Sequence, residues 1–208
     1  MSAERPKPQV VLATQNAGKV IELQRILGGA VDLVAIGTAY TPGPETGATF
    51  VQNALAKARE AVLATGQPAV ADDSVLAVDA LYGMPGVLSA RGAGRHGVGS
   101  PGDRDRANLE LLLDQLADVP DDRRTAGFVC AAAYALPDGR SEVLLGELRG
   151  TLIRVPRGSG GFGYDPLLVP TGLDRTTAEL SAQDKDAISH RGQAFRLLAP
   201  RLVAALRR

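Results

Sequence analysis

The chain has 208 residues, 45% of them hydrophobic and 22% charged, so it can bury a substantial core and has neither a disordered nor a fibrous composition. Lys plus Arg and Asp plus Glu both number 23, and a net charge of zero leaves no overall positive field to draw the protein to nucleic acid or anionic membrane, while a local cationic pocket stays open. Cys130 is the one cysteine, no apolar run reaches membrane-spanning length, and no basic-then-apolar export signal opens the chain, so a cytoplasmic protein without internal disulfides is expected.

Val10–Thr14 is a short β-branched run and reads as a buried strand. Val20, Leu23, Ile26 and Leu27 then recur at helical spacing, with Asn16 as the candidate cap and Gly28-Gly29 as the stop. Val31–Ile36 reads as a second strand and Thr41–Gly47 as a Pro/Gly loop. Thr49 and Gln52 form a capping box for a helix that ends at Gly66 and Pro68, with Val51, Leu55, Ala58 and Val62 on one face. Ala69–Ala71 and Val75–Asp79 are strand-like, and the adjacent Asp72 and Asp73 lie between them. Leu81–Gly102 is a glycine-rich loop in which His96 is expected to be exposed. Asp103–Leu116 reads as a helix with Leu109, Leu112, Leu113 and Leu116 inward. Thr125–Leu136 is a long strand, Asp138-Gly139 a hairpin turn, and Ser141–Val155 the return strand, with a break expected at Gly146 or Gly150. Gly158–Pro166 is a second glycine loop, and Ser189–Leu206 closes the chain as a helix. This order predicts an α/β fold: a mixed sheet flanked by helices, one domain over 1–208, with two lobes and a cleft.

Three stretches carry unusual chemistry. In "LATQNAGKVIEL" a loop feeds a helix N-terminus, where free N–H groups and the dipole favour an anion, and Lys19 sits in the first turn. The spacing is not a P-loop, because Ala13 and Val20 stand where that motif needs Gly and Ser/Thr. Lys19 either turns to solvent or meets an anion. In "AISHRGQAF", His190 and Arg191 again put cations at a helix start behind Ser189, with Lys185 nearby; a polyanion such as phosphate and a solvated surface turn are both open readings. In "GSGGFGYDP", Phe162 and Tyr164 lie among glycines, which suits stacking on a nucleobase and equally suits hydrophobic plugs; Asp165 starts a turn or touches a base or metal.

The Asp72-Asp73 pair then reads in two ways, as a solvated turn capped by Ser74 or as carboxylates facing Mg²⁺, which takes oxygen ligands and keeps several waters. Neighbours on an extended chain point to opposite faces, so one of the two faces the metal while the other bonds elsewhere. Glu45 is the candidate second carboxylate.

Together, "LATQNAGKVIEL", "ETGATFVQNALAKA", "ADDSVLAVDALYGMPGVLSARGAG", "GGFGYDP" and "AELSAQDKDAISHRGQA", in that order and spacing, resemble the inosine/xanthosine triphosphate pyrophosphatase family over Val10 to Leu198. The resemblance implies a mixed, curved central sheet flanked by helices, with two lobes and the active site in the cleft between them, and a homodimeric assembly. It implies Mg²⁺-dependent hydrolysis of non-standard purine nucleoside triphosphates (ITP, dITP and XTP) to the monophosphate and pyrophosphate, cleansing the nucleotide pool, with no nucleic-acid or membrane partner. Carried over by position, Thr14, Gln15, Asn16, Ala17, Gly18 and Lys19 hold the triphosphate, and Asp73 is the catalytic carboxylate. Asp73 is also a metal ligand in that reading, with Glu45 as the second. Ser74 contacts substrate; Phe162, Gly163, Tyr164 and Asp165 form the base pocket; and Lys185, His190 and Arg191 complete binding. Four positions depart from the family pattern: Val75 and Gln15 replace common glycines, Gln52 a frequent Glu, and Gly92 a Tyr. The competing readings are a related pyrophosphatase of other modified or pyrimidine triphosphates and a nucleotide-binding sensor with weakened catalysis, for which Gln52 and Val75 are the support.

Overall fold

The computed structural model describes residues 7–37, 40–41, 43–94 and 100–207; His96 lies outside them. In chain order the elements are β1 (Gln9–Leu12), α1 (Ala17–Leu27), β2 (Asp32–Ala35), α2 (Phe50–Thr65), β3 (Ala69–Val78), α3 (Pro101–Gln115), β4 (Thr125–Ala135), β5 (Ser141–Leu152), β6 (Leu168–Pro170), α4 (Ala182–Ile188) and α5 (His190–Leu206). The strands form one sheet in the order β2-β1-β3-β4-β5-β6. β1 runs parallel to β2 and β3, while β5 and β6 are antiparallel, so the sheet is mixed as expected.

Helix ends follow local chemistry. Asn16 caps α1 by accepting the Lys19 N–H at 3.1 Å. At α2 the Thr49 hydroxyl accepts the Gln52 N–H (3.2 Å) and the Gln52 side-chain oxygen accepts the Thr49 N–H (3.3 Å), completing the capping box. Gly66 closes α2 in the left-handed conformation, φ 67°.

Backbone contacts divide the chain into two compact units. The first holds the described residues up to Asp73, Ala131–Gly146, and those from Arg191 onward. Its core is built on small side chains: Ala54, Ala58 and Ala61 of α2 cluster with Ala69 and Ala71 of β3 and with Ala131, Ala133 and Ala135 of β4. The first set repeats at helical spacing and the others at period two, so a helix stripe lies on one face of the strands. Alanine lets the α2 backbone approach the sheet closely. Val51 and Val62 flank this stripe, half-buried, while Leu63 is exposed. The second unit, Ser74–Cys130 with Glu147–His190, uses large side chains: Leu109, Leu112 and Leu116 of α3 pack with Leu76, Val78, Phe128, Leu152, Tyr164, Leu167 and Leu168. Cys130 is fully buried, as its apolar strand predicts.

Four expectations change. The Asp pair does not interrupt β3, which runs unbroken from Ala69 to Val78 with both aspartates buried; Asp72 finds cations to face, and this overrides the turn preference of adjacent acids. The helix expected from Asp103 starts at Pro101, because the Ser100 hydroxyl accepts the Asp103 N–H and proline suits the first turn. The C-terminal segment holds an additional short helix, α4, before α5, whose Ala194, Phe195, Leu198 and Leu202 are buried. β5 has no break at Gly146 or Gly150; Gly150 instead admits β6, since a Cβ there would lie 2.2 Å from the Val169 carbonyl oxygen.

Gly150→Ala therefore forces the β5–β6 pair apart. We expect a loss of about 1–3 kcal/mol, seen in calorimetry as a fall in Tm of about 2–4 °C for each kcal/mol lost. An unchanged Tm would show that the pair yields without cost.

Candidate active site

Alternation along β3 sends its two aspartates to opposite faces. Asp73 shares a face with Ala69 and Ala71 and so meets α2; Asp72 faces α1 and α5.

Asp72 is buried among charges. Its Oδ2 accepts from Lys19 Nζ at 2.9 Å and from Arg191 Nε and Nη2, both at 3.2 Å. Arg191 Nη1 also donates to Glu22 Oε2 at 2.7 Å, and both side chains are nearly inaccessible. Burial pushes the Asp72 carboxyl up, but the charges of Lys19 and Arg191 and the Lys19 hydrogen bond outweigh it and hold this carboxyl well below the ordinary range. Asp72 is therefore ionised whenever the protein is folded near neutral pH.

Asp73 meets a different set. Lys57 Nζ donates to Asp73 Oδ1 at 3.0 Å and is also paired with Glu45 Oε1. Asn53, buried at the start of α2, joins the parts: its amide nitrogen donates to Asp73 Oδ2 at 3.2 Å, and its oxygen accepts the Gly47 N–H at 2.8 Å. That second bond fixes the loop carrying Glu45. A Cβ at Gly47 would stand 2.5 Å from the same Asn53 oxygen, so glycine is required for this approach. Burial, with the charge of Glu45 adding to it, raises the Asp73 carboxyl above its usual value although Lys57 opposes the shift. Burial alone would lower Lys57, but the charges of Asp73 and Glu45 keep its ammonium protonated and raise it overall.

Two carboxylate oxygens bonded to one ammonium nitrogen are a hard-oxygen donor pair that already shares a cation. Such a pair fits Mg²⁺, which binds one or two carboxylates and takes its other ligands from water and phosphate. Asp73 and Glu45, which share the Lys57 ammonium, are the candidate protein ligands; among the described residues no group of three or more His, Cys, Asp or Glu side chains stands together as a metal site.

In the same unit Thr14 is half-buried, while Gln15, Asn16, Ala17 and Gly18 are exposed at the N-terminus of α1. Lys19 is not turned to solvent, since it is paired with Asp72.

The second unit carries its own polar cluster. Asp165, buried, receives three groups: Lys185 Nζ on Oδ2 at 2.5 Å, the Phe162 N–H on Oδ2 at 2.8 Å, and the Thr177 hydroxyl on Oδ1 at 2.8 Å. Lys185 Nζ also lies 5.3 Å from the Phe162 ring centroid, within cation–π range. Gly161, at φ +74°, permits this fold of the loop, because a Cβ there would come within 2.0 Å of Asp165 Oδ2. Phe162 is half-buried at the loop. Of the two readings open for Tyr164, its surroundings match the hydrophobic one: it is a core residue, 6% exposed, whose hydroxyl donates to the Ser89 carbonyl at 3.0 Å. Burial and the charge of Asp105 push its phenol up, so it stays protonated. His190 is likewise buried, its ring stacked on Phe128 at 5.0 Å between centroids. Ser74 is a half-buried strand residue.

The sequence reading missed Lys57, Asn53, Glu22 and Thr177. Asn53 and Lys57 are four apart, beside the alanine stripe of α2, and a polar pair at that spacing on a core-facing helix is a usable signal. Glu22 stands three residues after Lys19, hence on the same helix face. Thr177 has no such signal.

The Asp72 cluster makes a stability prediction. Its carboxyl is depressed in the folded state, so its contribution is complete above the unfolded value of about 3.9 and is lost as pH falls from there. Asp72→Asn leaves Arg191 and Lys19 facing a neutral amide and is expected to cost about 3–5 kcal/mol at pH 7. In urea titrations the gap between wild type and variant should narrow steadily below about pH 4; a gap independent of pH would contradict the ion-pair account.

Comparison with known proteins fits this geometry. The Ham1 family model matches residues 10–201. A dITP/XTP pyrophosphatase of Streptomyces coelicolor is 57% identical over 198 residues, spanning 92% of this chain and 96% of that protein. The crystal structure of a nucleoside-triphosphatase / dITP/XTP pyrophosphatase from Mycobacterium abscessus matches with a TM-score of 0.72 at 51% identity, covering 92% of this chain and 99% of that one. A HAM1 protein from Coxiella burnetii matches with a TM-score of 0.82 at 39% identity, covering 95% and 99%. The buried Asp pair, the capped loop before Lys19 and the glycine loop around Phe162 thus stand in a chain that belongs to the Ham1 family.

Proposed function

We propose that this chain hydrolyses non-standard purine nucleoside triphosphates (dITP, ITP and XTP) to the monophosphate and pyrophosphate, and so removes deaminated purines from the nucleotide pool. The observation that carries the reading is the convergence of Asp73 and Glu45 on Lys57, beside a strand whose other aspartate is locked into ion pairs. The names of the Streptomyces and Mycobacterium relatives support the substrate class.

In this reading the turn of Thr14 to Gly18, exposed from Gln15 onward, binds the phosphates through the backbone N–H groups of Gln15, Ala17 and Gly18 and the N-terminal pole of α1, with Lys19 adding charge. Lys57 neutralises the phosphate oxygens nearest Asp73. Water attacks the α-phosphorus, the bond from that phosphorus to the bridging oxygen breaks, and pyrophosphate leaves with the electron pair. Asp73, the catalytic carboxylate, positions the attacking water and takes up its proton as that water is acidified, while Asp72, locked in ion pairs with Lys19 and Arg191, is unavailable for the task. Mg²⁺, held by Asp73 and Glu45, would supply shielding of the phosphate charge and acidification of bound water. Ser74 contacts the substrate. Phe162, with Gly163, offers the base a stacking face, and Asp165 fixes Phe162 and Lys185. His190 shapes the base pocket from its place against Phe128, and Tyr164 supports the loop from below. Arg191 acts from behind Asp72, orienting it rather than reaching the phosphates. The reading includes a homodimer, a cytoplasmic location and a single functional domain over 1–208. Gln52 is engaged as a helix cap, which favours an active enzyme over a weakened sensor.

The test is pyrophosphate release from ITP, XTP, GTP and ATP, with and without Mg²⁺. Release from ITP and XTP is expected to need Mg²⁺ and to exceed that from GTP and ATP. Asp73→Asn should lower kcat by about 10²–10⁴. Equal turnover of all four would remove the substrate claim, and binding without release would favour the sensor.

A further inference from the structure

One face of α3 does more than fill the core of its unit. Leu109, Leu112 and Leu116 are buried along it, and the residues that continue the stripe toward the N-terminus are polar: Asn108 and, three positions earlier, Asp105. Each takes a backbone N–H from a different loop. Asn108, 3% exposed, accepts the Ala93 N–H at 2.8 Å. Asp105 Oδ2 accepts the Gly163 N–H at 3.0 Å, from a residue 58 positions away.

Gly163 directly follows Phe162, and the Phe162 N–H is held by Asp165 Oδ2 at 2.8 Å. Two successive N–H groups, on either side of the Phe162 α-carbon, are therefore each held by a carboxylate, one from within the loop and one from outside it. Gly163 is in the left-handed region, φ +61°, and the peptide on its N-terminal side belongs to no strand or helix; its carbonyl accepts the Asp165 N–H at 3.3 Å within the loop, and its N–H is held from α3. Below the loop, the Tyr164 hydroxyl reaches the Ser89 carbonyl, and the Ser89 hydroxyl accepts the Leu76 N–H at 2.9 Å. Asp105 also adds to the upward shift of the Tyr164 phenol, as its nearness requires.

We propose that Asp105 is a positioning residue for base recognition: by holding the Gly163 N–H from α3, it fixes the plane in which Phe162 presents its ring. The inference rests on the reading of Phe162 as the base-stacking residue. Asp105 itself touches no reacting atom, so its loss weakens capture of the base and leaves the phosphate chemistry intact.

The experiment compares wild type, Asp105→Ala and Asp105→Asn by steady-state kinetics with ITP and by hydrogen exchange of peptides covering 158–166. Asp105→Ala is expected to raise KM about tenfold with kcat within about threefold, the scale of one lost charge-assisted hydrogen bond. Asp105→Asn, which keeps an acceptor for the Gly163 N–H, should recover most of the loss. The 158–166 peptides should exchange faster in Asp105→Ala, while those of β1 and α2 stay at the wild-type rate. A kcat loss equal to the KM effect, an Asn variant as impaired as Ala, or unaltered loop exchange would each overturn the proposal. If wild type releases no pyrophosphate from ITP, the functional reading fails, and loop exchange still decides whether Asp105 holds the loop.

Discussion

Burying the Asp72 carboxylate is the constraint on which the first unit is arranged. A carboxylate removed from water on a central strand is costly unless cations and hydrogen bonds replace its hydration. Lys19 comes from α1 and Arg191 from the start of α5, so one strand residue ties two helices to the sheet. Glu22 accepts the remaining reach of the guanidinium and keeps the four groups neutral as a set. Such a cluster gains little as net stability over an apolar equivalent. Its value lies in orientation: strand, α1 and α5 are set in one register, and the exposed turn before Lys19 is fixed by the same contact.

The opposite face of the strand is governed by volume. Alanines at helical spacing on α2 and alternating alanines on β3 and β4 bring helix and sheet close. Asn53 and Lys57 lie at the edge of that stripe and reach Asp73 because the helix sits low. Asn53 then draws in the Gly47 loop, and with it Glu45. Two adjacent aspartates thus acquire opposite proton affinities from opposite surroundings: full compensation on one face, incomplete compensation and a second carboxylate on the other.

Much of this was legible in the sequence where the signal is local. The Asn16 cap, the Thr49–Gln52 capping box and the Asp138-Gly139 turn all stand as their spacing predicts. The period of two placed Asp72 and Asp73 on different faces. What was not legible depended on distant partners. Continuity of β3 through two acids follows from Arg191, 119 positions away. Tyr164 reads from its glycine-rich context equally as a stacking face and as a hydrophobic plug, and what decides is a core that no periodicity inside the loop announces. Asp105 looks like any acid on a solvated helix until Gly163 is seen above it.

The alanine stripe has a consequence for how this site can change. With methyl groups as the spacers between α2 and the sheet, core volume sets how close the backbone carrying Asn53 and Lys57 comes to Asp73. Each added methylene at Ala54, Ala58 or Ala61 would raise the helix backbone, stretching the contact of the short Asn53 side chain to Asp73 first and drawing on the reach of the Lys57 stem. Side-chain bulk in an apolar part of the core thereby becomes a dial for the acidity of Asp73.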